Sequence, residues 1–414
     1  MKKLLTATAL SAACLWSASA LASGYQLNEY SVTNLGRSFA GAGVVGDDYS
    51  AIAYNPAGMT LKKSGLQASF TMAEVAADIR GQGADEGKKT DMDFGVPLPA
   101  AFGQYQINDK WFVGGGVYAP YGLATRYKKD SFVADSARKS TLEVIDYNLS
   151  TAYKLNSQWS FGASFIARYI YGNMTNNINH PTAGKLGESE FELDGWTYTG
   201  TLGVMYSPSE DTRIGLSYKP KSVQRVKGDH TVTATTPLGL AAGIAGVYPD
   251  GKASPDLPET VLLSAYHKPF EKTAFTGSVR FTRWGDSFEK FSMTSTATAG
   301  KPSVKYNWKD SWTISAGTEH YLNDNWTLRF GTAWDQSPSR DNRYRTHRIP
   351  DSDRIWISAG LSYRYENMQF DLGYAHLFMK KSFIRESENP AYNDHSSKYE
   401  AYSNMYGLGF QYNF

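Results

Sequence analysis

The feature that most constrains this chain is a two-residue alternation, repeated in stretches of roughly ten or more residues, the length a tilted strand needs to cross a bilayer. Clear cases are Trp111-Val113-Gly115-Val117, Ile145-Tyr147-Leu149-Thr151-Tyr153, Trp159-Phe161-Ala163-Phe165-Ala167-Tyr169 and Trp196-Tyr198-Gly200-Leu202-Val204-Tyr206. Two more are Trp326-Leu328-Phe330-Thr332-Trp334 and Ile355-Ile357-Ala359-Leu361-Tyr363-Tyr365. The terminal strand, which ends YGLGFQYNF, puts Tyr402, Tyr406, Leu408, Phe410, Tyr412 and Phe414 on one face and Ser403, Gly407, Gly409, Gln411 and Asn413 on the other. A soluble sandwich would favour Val, Ile and Leu on its apolar face. An aromatic face that runs to a bare Phe carboxylate suits a last strand turned toward lipid.

The front of the chain agrees. Lys2 and Lys3 precede an apolar run from Leu4 to Trp16 and the small-residue tripeptide Ala20-Leu21-Ala22, so residues 1–22 read as a secretory signal peptide cut near Ser23. A lipoprotein acylated on Cys14 is the alternative, but Ser11-Ala12-Ala13-Cys14 lacks the Leu usual three residues before the cysteine. The sequence has 42 basic and 40 acidic residues, and losing the signal removes Lys2 and Lys3 and no acid, which leaves 40 against 40. That balance gives no nucleic-acid footprint. The only cysteine leaves with the signal, so the mature chain has neither a disulfide nor a thiolate metal site, and no cofactor or metal is expected. No apolar run of about eighteen residues follows, so membrane residence must be as a barrel. The 28 Tyr and 38 Gly fit aromatic girdles and tight turns.

The connections alternate between short and long. Asn108-Asp109-Lys110, Asn156-Ser157-Gln158, 207–211, 269–272, Asn323-Asp324-Asn325 and Glu366-Asn367 read as hairpin turns. Between them lie 81–97, 120–140, 179–189, 228–257, 286–307, 337–351 and 383–400. An outer-membrane barrel has this asymmetry, with short periplasmic turns and long extracellular loops. Counting through the connections predicts an all-β fold, an antiparallel transmembrane barrel of about fourteen strands over residues 64–414, with the C-terminus periplasmic and the last strand closing on the first. Residues 23–63 precede the first convincing strand. They hold Gly36, Gly41, Gly43, Gly46 and Gly58, Asp47-Asp48 and Asn55-Pro56, and read as short helices and turns that dangle in the periplasm or fill the lumen.

The stretch SGYQLNEYSVTNLGRSFAGAGVVGDDYSAIAYNPAGM, from Ser23 to Met59, resembles the N-terminal hatch of the FadL family of outer-membrane long-chain fatty-acid transporters. The resemblance continues through YGLAT (Tyr121 to Thr125), NLSTAYKLNSQWSFG, LPET, NDNWTLRFGTAWDQSP and IPDSDRIWISAG to the Tyr-x-Phe ending. It implies a fourteen-stranded barrel plugged by a hatch, and uptake by diffusion of hydrophobic molecules, long-chain fatty acids first. Such a ligand is caught between extracellular loops, enters a pocket in the barrel and leaves sideways after the hatch shifts. Tyr25, Leu27, Asn55, Pro56 and Ala57 are the implied hatch and gate residues, and Tyr121 and Leu123 implied ligand contacts. The sideways exit implies a kink in the third strand, KWFVGGGVYAP; Gly114, Gly115 and Gly116 make a bulge there cheap, or merely make room for hatch side chains.

The cations that would hold a carboxylate depart from the family pattern. The arginine expected on the fifth strand falls near Tyr171, with Arg168 close by, and the lysine expected before the tenth strand corresponds to Lys305. A neutral or aromatic hydrocarbon is therefore the alternative ligand. The loop run Arg340, Arg343, Arg345, His347 and Arg348 reads either as a lipopolysaccharide-binding patch or as a solvated surface. Rival functions are an enzyme, a general porin and a structural barrel. His180, His230 and His395 fall in loops without a hydrolase or metalloprotease motif, which argues against catalysis. The long N-terminal segment argues against an open pore.

Overall fold

The computed structural model describes residues 24–180, 182, 184–298, 303–385 and 395–414; the expected signal peptide and Cys14 lie outside the described residues. The strands join in one antiparallel sheet that closes on itself, and fourteen of them make the wall. These are β1 (Gly65–Gln82), β2 (Lys89–Gln106), β3 (Trp111–Arg126), β4 (Lys139–Lys154), β5 (Trp159–His180), β6 (Gly184–Ser209) and β7 (Thr212–Lys219). The circuit continues with β8 (Glu259–Phe270), β9 (Thr273–Arg283), β10 (Ser311–Tyr321), β11 (Trp326–Asp335), β12 (Arg354–Tyr365), β13 (Met368–Met379) and β14 (Ser396–Asn413). Short strands at 226–234, 246–253, 290–294, 303–305 and 382–385 belong to the long connections. Among the described residues no helix is long and apolar enough to cross a membrane.

β14 pairs with β1 along its whole length, from Gly65 opposite Asn413 to Gln82 opposite Ser396. The terminal alternation is thereby explained: Leu408 is 60% exposed and Tyr406 46% exposed on the outer face, whereas Ser403 and Gln411 are fully buried on the inner one. An outward apolar face costs nothing in lipid, and closure leaves no unpaired edge at the terminus. Aromatic pairs mark the short-turn rim, among them Trp111–Tyr153 with ring centroids 4.7 Å apart, Trp159–Tyr206 at 4.6 Å and Trp326–Tyr363 at 4.5 Å.

Residues 24–63 fill the lumen. They form helix α1 (Val32–Leu35), helix α2 (Ala51–Tyr54) and a 3-10 turn (Pro56–Leu61), and Ser31 caps α1 by accepting from the Asn34 amide. Asn55 caps the 3-10 turn through the Ala57 amide and donates to the Val204 carbonyl of β6 at 3.2 Å. The wall is thinned to receive them. A Cβ on Gly203 would stand 2.0 Å from the Asn55 side chain, one on Gly162 2.3 Å from the Ala57 amide, and one on Gly331 2.1 Å from the Arg37 backbone. The inward glycines are the wall's half of the packing between plug and barrel.

An ionic ring fastens plug to wall. Arg37 lies 2.7 Å from both Asp47 and Glu319 of β10, and Arg329 of β11 reaches Glu319 at 2.7 Å and Asp47 at 3.0 Å. Two guanidinium groups thus alternate with two carboxylates. Burial alone would raise the Asp47 pKa, but Arg37 and Arg329 hold it far below the ordinary carboxylate range. Beside the ring, Asp48 accepts from Ser31, from Thr33 at 2.6 Å and from Ser50 at 2.7 Å.

Candidate functional site

Above the plug, toward the long-connection end, lies an apolar cavity whose space between atoms, open solvent included, is about 590 Å³. Its walls come from the outer halves of β3 to β6 (Leu123, Leu142, Ile170, Met174, Phe191 and Leu193) and from long connections (Phe288, Phe291, Tyr306 and Ile349). Alternation sends the β4 to β6 side chains inward, the register shift between Tyr118 and Tyr121 turns Leu123 inward with them, and Gly172 leaves the space between them open. The base is aromatic and comes from the plug: Tyr25 packs on Trp284 at 4.8 Å, Phe288 at 5.4 Å, Trp308 at 5.7 Å and Tyr121 at 6.1 Å.

The next residue, Gln26, faces a second cavity of about 380 Å³ nearer the short-turn end, lined by Tyr30, Tyr54, Thr201, Ser217, Lys219, Thr260 and Arg280. Between the two chambers stands the partition made by Tyr25 and Tyr121. Under Tyr121 runs a buried charge cluster. Arg168 holds Asp146 in a fork, at 2.6 Å and 2.8 Å, donates to Ser222 and lies 5.3 Å from the Tyr121 ring. Lys219 stands 3.9 Å from the same carboxylate, and Arg280 donates to the Asn28 side chain.

The wall is incomplete at β2 and β3. They pair only from Ala101 opposite Val117 to Gln106 opposite Phe112. Beyond that point β2 stays with β1, while β3 stays with β4 through a register shift between Tyr118 and Tyr121. An unpaired strand edge in a bilayer exposes polar groups with nothing to bond. Pro97 and Pro99 of β2 and Pro120 of β3 stand where the strands part, and none has an N–H to expose. The plug supplies part of the missing ladder. Leu27 donates its amide to the Pro120 carbonyl at 2.9 Å, and Gly122 donates to the Tyr25 carbonyl at 2.8 Å, so 25–27 lies along β3 like a fragment of strand.

The residues singled out in the sequence divide accordingly. Tyr25 and Leu123 line the first cavity, with Tyr121 packed against the Tyr25 ring, and Leu27, Asn55, Pro56 and Ala57 sit at plug contacts with the wall. Arg168 points into the lumen, but its charge is taken by Asp146. Tyr171 shares the outer face of β5 with Phe165 and donates to Glu192 at 2.9 Å, away from the cavity. Lys305 is on the exposed short strand opposite Lys290, beside a cavity residue, Tyr306. Gly114 to Gly116 pair regularly with β2; a Cβ on Gly114 would be 2.9 Å from Ile52 and Met59 of the plug, and the irregularity begins beyond them. The basic run splits: Arg340 and Arg343 are exposed, whereas Arg345, His347 and Arg348 turn inward. Arg348 lines the first cavity. It hid in a polar run because loops have no periodicity to read.

On the long connections, His395 bridges Asp85 and Asp135, 2.9 Å from each, tying three connections together. Burial opposes its proton, but the two carboxylates outweigh it and raise its pKa to about 9.

A family model described as outer membrane protein transport protein (OMPP1/FadL/TodX) matches residues 13–414. A long-chain fatty acid transport protein of Salmonella typhi is 30% identical over 446 residues, covering all of this chain and 99% of its own. One from Escherichia coli O6:H1 is 29% identical over 450 residues, with the same coverage. Among solved structures, a Pseudomonas aeruginosa FadL homologue superposes with a TM-score of 0.85 at 21% identity, over 94% of this chain and all of its own. The Pseudomonas putida toluene transporter TodX superposes at 0.72 with 19% identity and the same coverage.

Proposed function

The chain belongs to the outer membrane protein transport family (OMPP1/FadL/TodX), and on that premise we propose that it carries hydrophobic molecules, long-chain fatty acids first, across the outer membrane of a Gram-negative bacterium. The observation that carries the reading is the apolar cavity inside a barrel, closed at its base by Tyr25 of the plug and adjoined by the unpaired stretch of β2 and β3. The long connections face outward and the short turns face the periplasm.

The route runs from the long connections into the first cavity, past Tyr25 and out between β2 and β3. Each step is diffusion. Moving a long acyl chain into water costs about 0.8 kcal/mol per methylene, so a path that goes sideways into lipid is favoured over one through an aqueous lumen. To open it, residues 25–27 must leave β3, breaking two backbone hydrogen bonds and the ring contacts of Tyr25. The two bonds are modest in net cost, about 1 kcal/mol each. The rest of the plug, held by the ionic ring, need not move far. This is a channel and not an enzyme: the lining side chains position and exclude water, and no bond in the ligand changes. Exposed Arg340 and Arg343 are left as the contacts for lipopolysaccharide phosphates.

A hydrocarbon channel is the second reading, favoured by the apolar lining and by the engagement of Arg168 with Asp146. Competition of a fluorescent long-chain fatty acid from purified protein by oleate, dodecane and toluene decides between them. Displacement by oleate alone supports the fatty-acid reading, displacement by the hydrocarbons alone supports the second, and no binding of the probe sinks both.

A further inference from the structure

We infer that Arg348 is the anchor for a carboxylate in the first cavity, so that the ligand is an amphiphile held with its head toward the long connections and its tail toward Tyr25. This rests on the reading of that cavity as the ligand chamber. Arg348 is only 6% exposed, and it is the one charged residue among the side chains lining the cavity. It donates to Ser140 at 3.1 Å and to Asn176 at 3.2 Å, both neutral acceptors. A guanidinium has five N–H donors, so most of its capacity is unused. Among the described residues no carboxylate stands within salt-bridge distance of it.

Most of the other buried guanidinium groups are paired with a carboxylate. Arg37, Arg168, Arg329 and Arg354 each face at least one carboxylate. Arg345 and Arg280 are buried without one, but Arg345 is satisfied by the carbonyls of Asp351 and Phe383 and by Asn342, and Arg280 donates to Asn28 in the second cavity, not in the apolar one. A buried cation without a counter-charge is costly, and the cost falls when an anion arrives. Arg348 is placed for that. Ser140 and Asn176 lie at the outer ends of β4 and β5, whereas Tyr25 and Tyr121 form the base of the cavity, so the charge and the aromatic base stand at opposite ends of an apolar space. A neutral hydrocarbon would fill this space and leave the guanidinium unpaired. A long chain ending in one carboxylate fills it and pairs the charge bidentately.

The arrangement also sets direction: the methyl end meets the partition first and the head group follows.

The test compares dissociation constants for oleate and oleyl alcohol, at one detergent concentration, for the purified wild-type barrel and its Arg348→Gln, Arg348→Lys and Gly172→Phe variants. The wild type should prefer oleate by about 30-fold or more, the scale of a desolvated charge pair. Arg348→Gln should lose that preference by weakening oleate while leaving oleyl alcohol within about threefold, and Arg348→Lys should keep most of it. An unchanged oleate-to-alcohol ratio in Arg348→Gln overturns the inference. If that variant does not fold, the lysine variant decides: a preference kept at or near the wild-type value with Gly172→Phe abolishing both ligands supports it, and a wild type without preference overturns it. Gly172→Phe separates the two levels. If it blocks both ligands while Arg348→Gln changes nothing, the chamber stands and only the head-group anchor fails. If it blocks neither, the chamber reading itself is wrong.

Discussion

The two chambers of the lumen share a partition and are built from the same closed sheet, yet they are chemically opposite. The outer one is lined by Leu, Ile, Met and Phe with one cation at its far end, and the inner one by Thr, Ser, Tyr and Gln with Lys219 and Arg280. Their supports differ as well. The outer chamber is walled by β3 to β6 and the long connections and borrows only Tyr25 from the plug, whereas the inner one takes Gln26, Tyr30, Ala53 and Tyr54 from it. On the route proposed above, the difference implies a division of labour: affinity for an apolar chain would belong to the wall, and passage of a charged head past the partition to the plug and the cations beneath it. Both Lys219 and Arg168 draw on Asp146, so the inner chamber carries an excess of positive charge that a carboxylate can use.

The largest effect should come from cutting the plug loose. Arg37→Met leaves Glu319 buried and Asp47 short of a partner, a loss of about 3–5 kcal/mol for a broken buried pair. New protease cleavage within 24–63 and ion conductance in a planar bilayer are expected, with a much smaller change in fatty-acid affinity. Equal loss of binding would erase the distinction between the chambers.

Next is Gly172→Phe, whose new side chain meets no atom closer than ordinary contact at its Cβ and grows into the outer cavity. Displacing ligand from that space should weaken long-chain binding by at least about 30-fold, or 2 kcal/mol, in equilibrium fluorescence. The barrel should remain resistant to unfolding at room temperature in electrophoresis.

Lys219→Met should do the reverse. With its charge lost beneath the partition, equilibrium binding should stay within about threefold while uptake into cells or proteoliposomes falls by about tenfold. Loss of affinity in parallel with uptake would show that the ligand already reaches the inner chamber at equilibrium.

The smallest effect concerns the mouth. His395, raised from an ordinary value near 6.5 to about 9, holds its proton at neutral pH between Asp85 and Asp135. A folded pKa above the unfolded one means that the clasp is complete below about pH 6.5 and is lost as pH rises through about 9. Amide hydrogen exchange of the 127–138 connection, corrected for the intrinsic pH dependence, should therefore quicken between pH 7 and 10 in the wild type. In His395→Ala it should be fast at both; protection that ignores pH in the wild type would deny the clasp its role.

How much of this was legible beforehand depends on which force places the residue. Alternation alone located the wall, because a lipid-facing strand can satisfy its backbone only in a closed barrel and must turn its apolar side out. The same parity sets Tyr171 on the lipid face with Phe165 and Arg168 in the lumen, whereas Leu123 shares the parity of lipid-facing Trp111 and Val113 and reaches the cavity only because the register shift between Tyr118 and Tyr121 turns it inward. Parity does not say what a lumenal charge will meet. Arg168 was open to a ligand until Asp146, on the neighbouring strand in the paired register, occupied it.

Sequence by itself therefore determined the barrel, its strand count, its closure by YGLGFQYNF and the presence of an extra segment of Gly, Asp and Asn-Pro before the first strand. Only the tertiary structure decided where that segment lies, that it repairs the edge of β3 with residues 25–27, and that Arg348 of an irregular loop is turned into the apolar cavity. The physical reason is range. Strand faces follow from a period of two along the chain, but a plug contact or a loop cation is set by partners hundreds of residues away, and no local pattern encodes them.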